Sequence, residues 1–133
     1  ELLFFYNVYG SGQIQTGPMA TVIGIFEKQF KKKIPLTVVR PGTQKRDFTH
    51  IDDIINGCYL AFRKGRQNEY MLGTNKKYSI LQIAKMFKRK IKFLPQRKGD
   101  RSGSNIPNNN AFNYLGYKAK INIKVYINNI IKT

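Results

Sequence analysis

The chain has 133 residues, of which 41% are hydrophobic and 13% aromatic, and it carries a formal net charge of +17. That is single-domain length with enough apolar content for a packed core, which sets aside an intrinsically disordered chain. No apolar run approaches the roughly eighteen residues of a membrane span. No secretory leader pattern opens the sequence, and a single cysteine cannot supply a disulfide framework. The expectation is a cytoplasmic protein without membrane association. Cys58 falls among Ile54, Ile55, Tyr59 and Phe62 at helical spacing and reads as a buried, inert thiol.

The balance of 24 Lys and Arg against 7 Asp and Glu raises the question of a nucleic-acid partner. The cations are spread over separate runs, Lys31-Lys32-Lys33, Lys76-Lys77 and Lys88-Arg89-Lys90. Each run suits a solvated turn or a helix C-terminus, where cations complement the macrodipole. Lysine, isoleucine and asparagine are all abundant and share AT-rich codons, so base composition alone raises the charge. A basic nucleic-acid-binding domain is therefore the least favoured alternative. The same positive field suits a small anionic ligand.

In chain order, Leu2 to Val8 is almost continuously apolar, the pattern of a strand buried on both faces of a parallel sheet. A polar loop from Tyr9 to Gly17 leads to Pro18, which suits the first turn of a helix running from Met19 to Lys33. Pro35 ends that helix. Leu36 to Val39 reads as a strand, Arg40 to Thr43 as a turn, and Asp47 to Thr49 as a returning strand. Asp52 is placed to cap a helix to Lys64, with Gly65 beyond it. Glu69 to Leu72 is a further strand. Ser79 and Gln82 form a capping-box pattern opening a helix to Lys90. Ile91 to Leu94 is a strand, and Gln96 to Asn110 a polar loop. A short helix over Ala111 to Leu115 ends at Gly116, and Asn122 caps a last helix through Ile131.

Asn7 stands at the C-terminal end of the first strand, where ligands of open α/β sheets sit. Arg46 opens a strand segment that would hold its guanidinium rigidly, and a planar guanidinium can donate two bonds to one phosphate. Taken alone, an asparagine there closes a turn and such an arginine makes a surface ion pair. Asp47, Asp52 and Asp53 follow no calcium-loop spacing and have no cluster of histidine or cysteine beside them. Capping and strand-end hydrogen bonding account for them better than a metal or acid–base site.

The motifs carry more together than singly. Tyr6-Asn7-Val8-Tyr9-Gly10 precedes Arg46-Asp47-Phe48-Thr49-His50-Ile51-Asp52-Asp53. Arg97-Lys98-Gly99-Asp100 then precedes Asn113-Tyr114-Leu115-Gly116-Tyr117. From Leu2 to the last helix this order resembles the C-terminal half of extended short-chain dehydrogenase/reductases, the sugar-nucleotide epimerases and dehydratases, with UDP-hexose 4-epimerases nearest. The resemblance implies an α/β fold: the C-terminal substrate-binding portion of an extended Rossmann-type fold, helices with short strands, without the N-terminal dinucleotide-binding half. Residues 1–133 would be one nucleotide-sugar-binding region of a larger, homodimeric, NAD-dependent enzyme, inactive in isolation.

It also implies roles. Arg46 and Arg97 would meet the diphosphate of a UDP-sugar or related nucleotide sugar, and Asp100 the nucleotide ribose. Asn7 would bind phosphate or sugar. Val22 would lie near the base, with Leu36, Thr37 and Val38 along it. Tyr6 would approach the nicotinamide, although the family usually shows Tyr-Phe-Asn where this chain has Phe5-Tyr6-Asn7. Ser104 falls at the hexose gate, where a small side chain resembles members that accept N-acetylated hexoses. A dehydratase or decarboxylase acting on another nucleotide sugar, or a binding module without turnover, remains open as an alternative.

Two apparent motifs are read as structural. Tyr114 and Lys118 fit the family's catalytic Tyr-x-x-x-Lys spacing, which works when both lie on one helix and the ammonium lowers the phenol pKa. Gly116 between them marks a helix end instead. Gly10-Ser11-Gly12 lacks the third glycine and the downstream acid of a dinucleotide fingerprint.

Overall fold

Four strand pairs organise the chain in the computed structural model, which describes residues 1–99 and 109–133. β1 (Leu2–Phe5) runs parallel to β6 (Glu69–Leu72), β2 (Val8–Tyr9) to β5 (Thr49–His50), and β3 (Leu36–Val39) to β8 (Ile91–Leu94). β4 (Lys45–Asp47) and β7 (Lys77–Ser79) are antiparallel. Parallel pairing requires long crossovers, which the helices supply. These are α1 (Val22–Lys31), α2 (Ile51–Lys64), α3 (Ile80–Met86), α4 (Asn110–Leu115) and α5 (Ile123–Lys132).

The single strand expected over Leu2 to Val8 is broken in two. Asn7 has φ +31°, a left-handed conformation that asparagine tolerates better than most residues. Its side-chain amide donates to the Asp47 carbonyl at 3.3 Å, which fixes the bend. Burial of this strand on both faces also fails. Leu2 and Phe5 are about half exposed, at 51% and 52%. A two-sided strand needs a neighbour at each edge, and β1 pairs with β6 alone among the described residues.

Helix α1 starts later than Pro18 suggests. Thr21 is its N-cap, its hydroxyl accepting from the Gly24 N–H at 2.9 Å. The Thr21 N–H donates to the Ile14 carbonyl at 3.1 Å, so the helix begins where it docks on the preceding loop. A side chain at Gly24 would meet the Ile14 oxygen at 2.5 Å, so that docking requires glycine.

The cap of α2 is His50, not Asp52. Its Nδ1 accepts from the Asp52 N–H at 3.1 Å, because β5 ends directly at the helix start and leaves no room for a cap further on. Accepting there requires the neutral tautomer with the proton on Nε2. The capping box on α3 is present as expected: Gln82 N–H donates to Ser79 Oγ at 3.0 Å and Ser79 N–H to Gln82 Oε1 at 2.7 Å. That helix stops at Met86 rather than Lys90, since the Lys90 carbonyl is needed to accept from Leu36 N–H at 2.8 Å, beginning the β3–β8 ladder.

Two apolar clusters form. One gathers Phe26 of α1, Leu36 and Val38 of β3, Ile83 and Phe87 of α3 and its end, and Ile127 of α5. The other joins Ile54 and Ala61 of α2 to Tyr70 and Leu72 of β6 and Leu115 of α4. Cys58 is only partly buried against this second cluster, because the expected apolar face of α2 is split. Ile55, Tyr59 and Phe62 are 59%, 57% and 86% exposed. No described helix is long and apolar enough to cross a membrane.

Candidate functional site

Strand alternation decides which side chains reach the site. On β3, Leu36 and Val38 point into the core, at 0% and 1% exposure, while Thr37 and Val39 face the other way. On β4, Asp47 faces inward and Arg46 outward. The outward residues meet over a cavity of about 270 Å3. Asn7, Val22, Thr37, Arg46 and Arg97 line it. Five residues singled out by sequence are thus gathered from five separate stretches of chain. The cavity lies by Val39 and Leu94, the C-terminal ends of the parallel pair β3 and β8, the position where α/β sheets bind ligands.

Its chemistry is two-sided. Val22, Ile25, Val39, Ile80 and Leu94 give it an apolar wall, and Arg46 and Arg97 give it positive charge. None of the described lining residues is a carboxylate. Such a lining suits a ligand with a flat or apolar part joined to an anionic one. Arg46 also donates to its neighbour's carbonyl, Lys45 O, at 2.9 Å. Thr37 is held by Gln29 of α1, which donates to its hydroxyl at 2.8 Å and accepts from its N–H at 3.1 Å.

The remaining sequence-derived residues lie elsewhere. Leu36 and Val38 contribute no side chain to the cavity. Tyr6 does not line this cavity and packs against Gly73, where an added Cβ would meet its ring at 2.9 Å. Burial, with the nearby Asp47 charge, raises the Tyr6 phenol pKa, so it stays protonated. Asp100 and Ser104 lie outside the described residues. Gln44 was missed by sequence reading: it too lines the cavity, two residues before Arg46. The same period-two alternation that exposes Arg46 was the available signal.

The aspartates are engaged structurally. Asp47 accepts from the N–H groups of Thr74 and Asn75 at 2.9 and 3.0 Å. Asp53 accepts from Lys120 and Ile121 N–H at 3.0 and 2.9 Å. No group of histidine, cysteine and carboxylate side chains suited to a metal occurs among the described residues. Tyr114 and Lys118 do not share a helix, since Gly116 ends α4 between them with φ +65°. Nor does Gly10 serve a phosphate loop. A Cβ there would strike Ile51 Cγ2 at 2.6 Å, so this glycine serves packing against α2.

A larger cavity of about 440 Å3 lies between Gly73–Asn75 and α4. Its described lining includes asparagines, Thr74, Tyr117 and one lysine, Lys118, without the paired guanidinium groups of the first. Size does not decide between them; charge and strand-end position favour the smaller.

Residues 2–73 match the model of the NAD dependent epimerase/dehydratase family. Among solved structures, a UDP-glucose 4-epimerase from Thermotoga maritima, determined with UDP-glucose, is 26% identical with a TM-score of 0.89. The alignment covers 98% of this chain and 44% of that one. A UDP-glucuronic acid 4-epimerase from Bacillus cereus, in complex with a fluorinated UDP-sugar and NAD, matches with a TM-score of 0.82 over the same shares and at the same 26% identity. Among curated proteins, UDP-glucuronic acid decarboxylase 4 of Arabidopsis thaliana is 26% identical over 126 residues, covering 90% of this chain and 28% of the relative. The chain thus spans less than half of the proteins it resembles. Its mixed α/β architecture is that of Rossmann-type epimerases, and the chain belongs to the NAD dependent epimerase/dehydratase family.

Proposed function

We propose that this chain is the nucleotide-sugar-gripping portion of an NAD-dependent epimerase of the UDP-hexose 4-epimerase type. The observation that carries the reading is the convergence of Arg46 and Arg97 with Asn7 on one cavity whose described lining holds no carboxylate. Two guanidinium groups there match a diphosphate, and the apolar wall beside them matches a base. Similarity to proteins whose names specify UDP-sugars supports the choice of ligand.

NAD, when bound, would accept a hydride from the sugar and return it. The commitment of Gly10 to packing against α2 supports placing the grip on the NAD pyrophosphate in another part of a larger enzyme. Tyr6, half-buried at the end of β1, is the residue of this chain that would meet the nicotinamide. Its raised pKa suits an orienting wall rather than a base. By itself the chain would hold substrate without turning it over, as part of a longer or two-part enzyme. The exposed Leu2, Phe4 and Phe5 of β1, which pairs on one edge only among the described residues, and the exposed Ile55, Tyr59 and Phe62 of α2 support that part of the reading, because so much exposed apolar side chain suits further packing. Decarboxylation is the second reading, favoured by the plant relative that covers 90% of the chain. Both reactions share this grip.

Calorimetric titration with UDP tests the proposal. The parent chain should bind, and Arg46→Ala should weaken binding by about 1.5–3 kcal/mol, the scale of a hydrogen bond to a charged group. Equal affinity in parent and variant would remove Arg46 from the site.

A further inference from the structure

We infer that the end of the chain opposite the arginine-bearing cavity is a docking face for an anionic lipid surface. Lys31-Lys32-Lys33 and Lys88-Arg89-Lys90 read in sequence as separate solvated runs, yet the fold brings them together. The first run closes α1 and the second follows α3, and both lead into the paired starts of β3 and β8. The Leu36 N–H donates to the Lys90 carbonyl at 2.8 Å. The Arg89 guanidinium lies over the Phe30 ring, 4.9 Å from its centroid, which joins the two helix ends directly.

Little of this charge is neutralised within the chain. Across α1, α3 and the turns that follow them, Glu27 is the sole acid, and it pairs with Lys31 at 2.9 Å. The other cations of the two runs make no ion pair among the described residues. A helix C-terminus offers about half a negative charge, so two of them leave most of the positive charge uncompensated. Both helices also end alike. Lys33 and Lys88 follow the C-caps Lys32 and Phe87 and hold left-handed φ values of +58° and +55°. Glycine is the residue that fits this position without strain. Each end thus carries a cation where the backbone alone favours none.

The kind of surface follows from what lies among the cations. Lysine predominates, a compact charge suited to diffuse attraction rather than to bidentate reading of one phosphate. Ile34 is 45% exposed directly after Lys33, with exposed Pro35 beside it. An apolar tip ringed by lysines suits the headgroup boundary of an anionic bilayer. Single-stranded nucleic acid is held by a groove with open aromatic rings. Neither run lines either cavity described above, Phe30 is covered by Arg89, and Phe87 is buried. The arginine-bearing cavity lies at the other ends of the same strands, about 10 Å along them, so docking here leaves it clear of the lipid.

Co-sedimentation of the chain with phosphatidylcholine vesicles, with and without phosphatidylserine, is the test. Binding should require phosphatidylserine and weaken as salt rises. One cation near such a surface contributes about five-fold in affinity, so Lys33→Gly with Lys88→Gly should bind about twenty-five-fold more weakly. Glycine relieves both left-handed positions, so this variant should melt no lower than the parent, which separates a lost surface from a lost fold. Lys32→Gln with Lys90→Gln leaves the backbone alone and should lose as much. Arg63→Gln with Lys64→Gln removes equal charge from the exposed end of α2 and should bind like the parent. Ile34→Ser should weaken vesicle binding while leaving any affinity for a fluorescent DNA duplex unchanged. Equal losses from these two glutamine pairs would overturn the assignment by reducing it to net charge. Absence of a preference for phosphatidylserine would overturn it as well. Duplex binding that the glycine pair abolishes, without vesicle binding, would give this face to nucleic acid instead.

Discussion

Replacing Asp53 with alanine is expected to lower the unfolding free energy by about 3 kcal/mol, the scale for losing charge-assisted hydrogen bonds to a buried carboxylate. Asp53 is 5% exposed, and its two oxygens accept separately from the N–H groups of Lys120 and Ile121. Those bonds tie the first turn of α2 to the segment that leads into α5, across about half of the sequence. Alanine strands both donors and releases the segment. Asp53→Asn keeps one acceptor and should lose less than the alanine variant. Urea unfolding, compared at unchanged slope, gives the answer. A loss below about 1 kcal/mol, the ordinary range for one neutral hydrogen bond, would show that the tie does little for the fold.

Phe87→Ala should cost as much or more, about 3–5 kcal/mol. The ring is fully buried just past α3, edge-on to Phe26 at 5.9 Å and tilted against Phe30 at 6.0 Å. Its removal opens a void among α1, β3 and α3, the elements that carry the cavity wall. Phe62→Ala is the control: that ring is 86% exposed, and its loss should change stability by no more than about 0.5 kcal/mol. Comparable losses at both positions, read from thermal or urea unfolding, would contradict this account of the core.

Local signals set the clearest parts of the fold. The Ser79–Gln82 capping box and the Asn122 cap are short-range patterns, and both close as the residues suggest. Helix starts fixed by tertiary contact were not legible. The helix begins after Thr21 rather than at Pro18 because the Thr21 N–H donates to the Ile14 carbonyl and anchors the start there, and nothing within the helix encodes that. β7 escaped notice because Lys77–Ser79 has strand meaning only opposite β4, where Tyr78 faces Arg46. The helical spacing of Ile55, Tyr59 and Phe62 read as a core face, yet periodicity does not say which apolar face the chain covers.

The site was legible where motif order and strand alternation agreed. Asn7, Arg46 and Arg97 come from distant segments and reach one cavity. The resemblance set Leu36, Thr37 and Val38 together along the base, but a period of two sends the Leu36 and Val38 side chains to the core. Gln44 went unseen because it belongs to no motif of its own, although it stands two residues before Arg46 and lines the same cavity.

The central claim is that the cavity bearing Arg46 and Arg97 holds a nucleoside diphosphate. The most direct measurement is an amide NMR titration of the chain with UDP. The account predicts saturable shifts centred on Asn7, Val22, Thr37, Gln44, Arg46 and Arg97. Shifts centred instead on Asn75, Asn113 and Lys118, around the larger cavity, or no shifts at millimolar UDP, would contradict it.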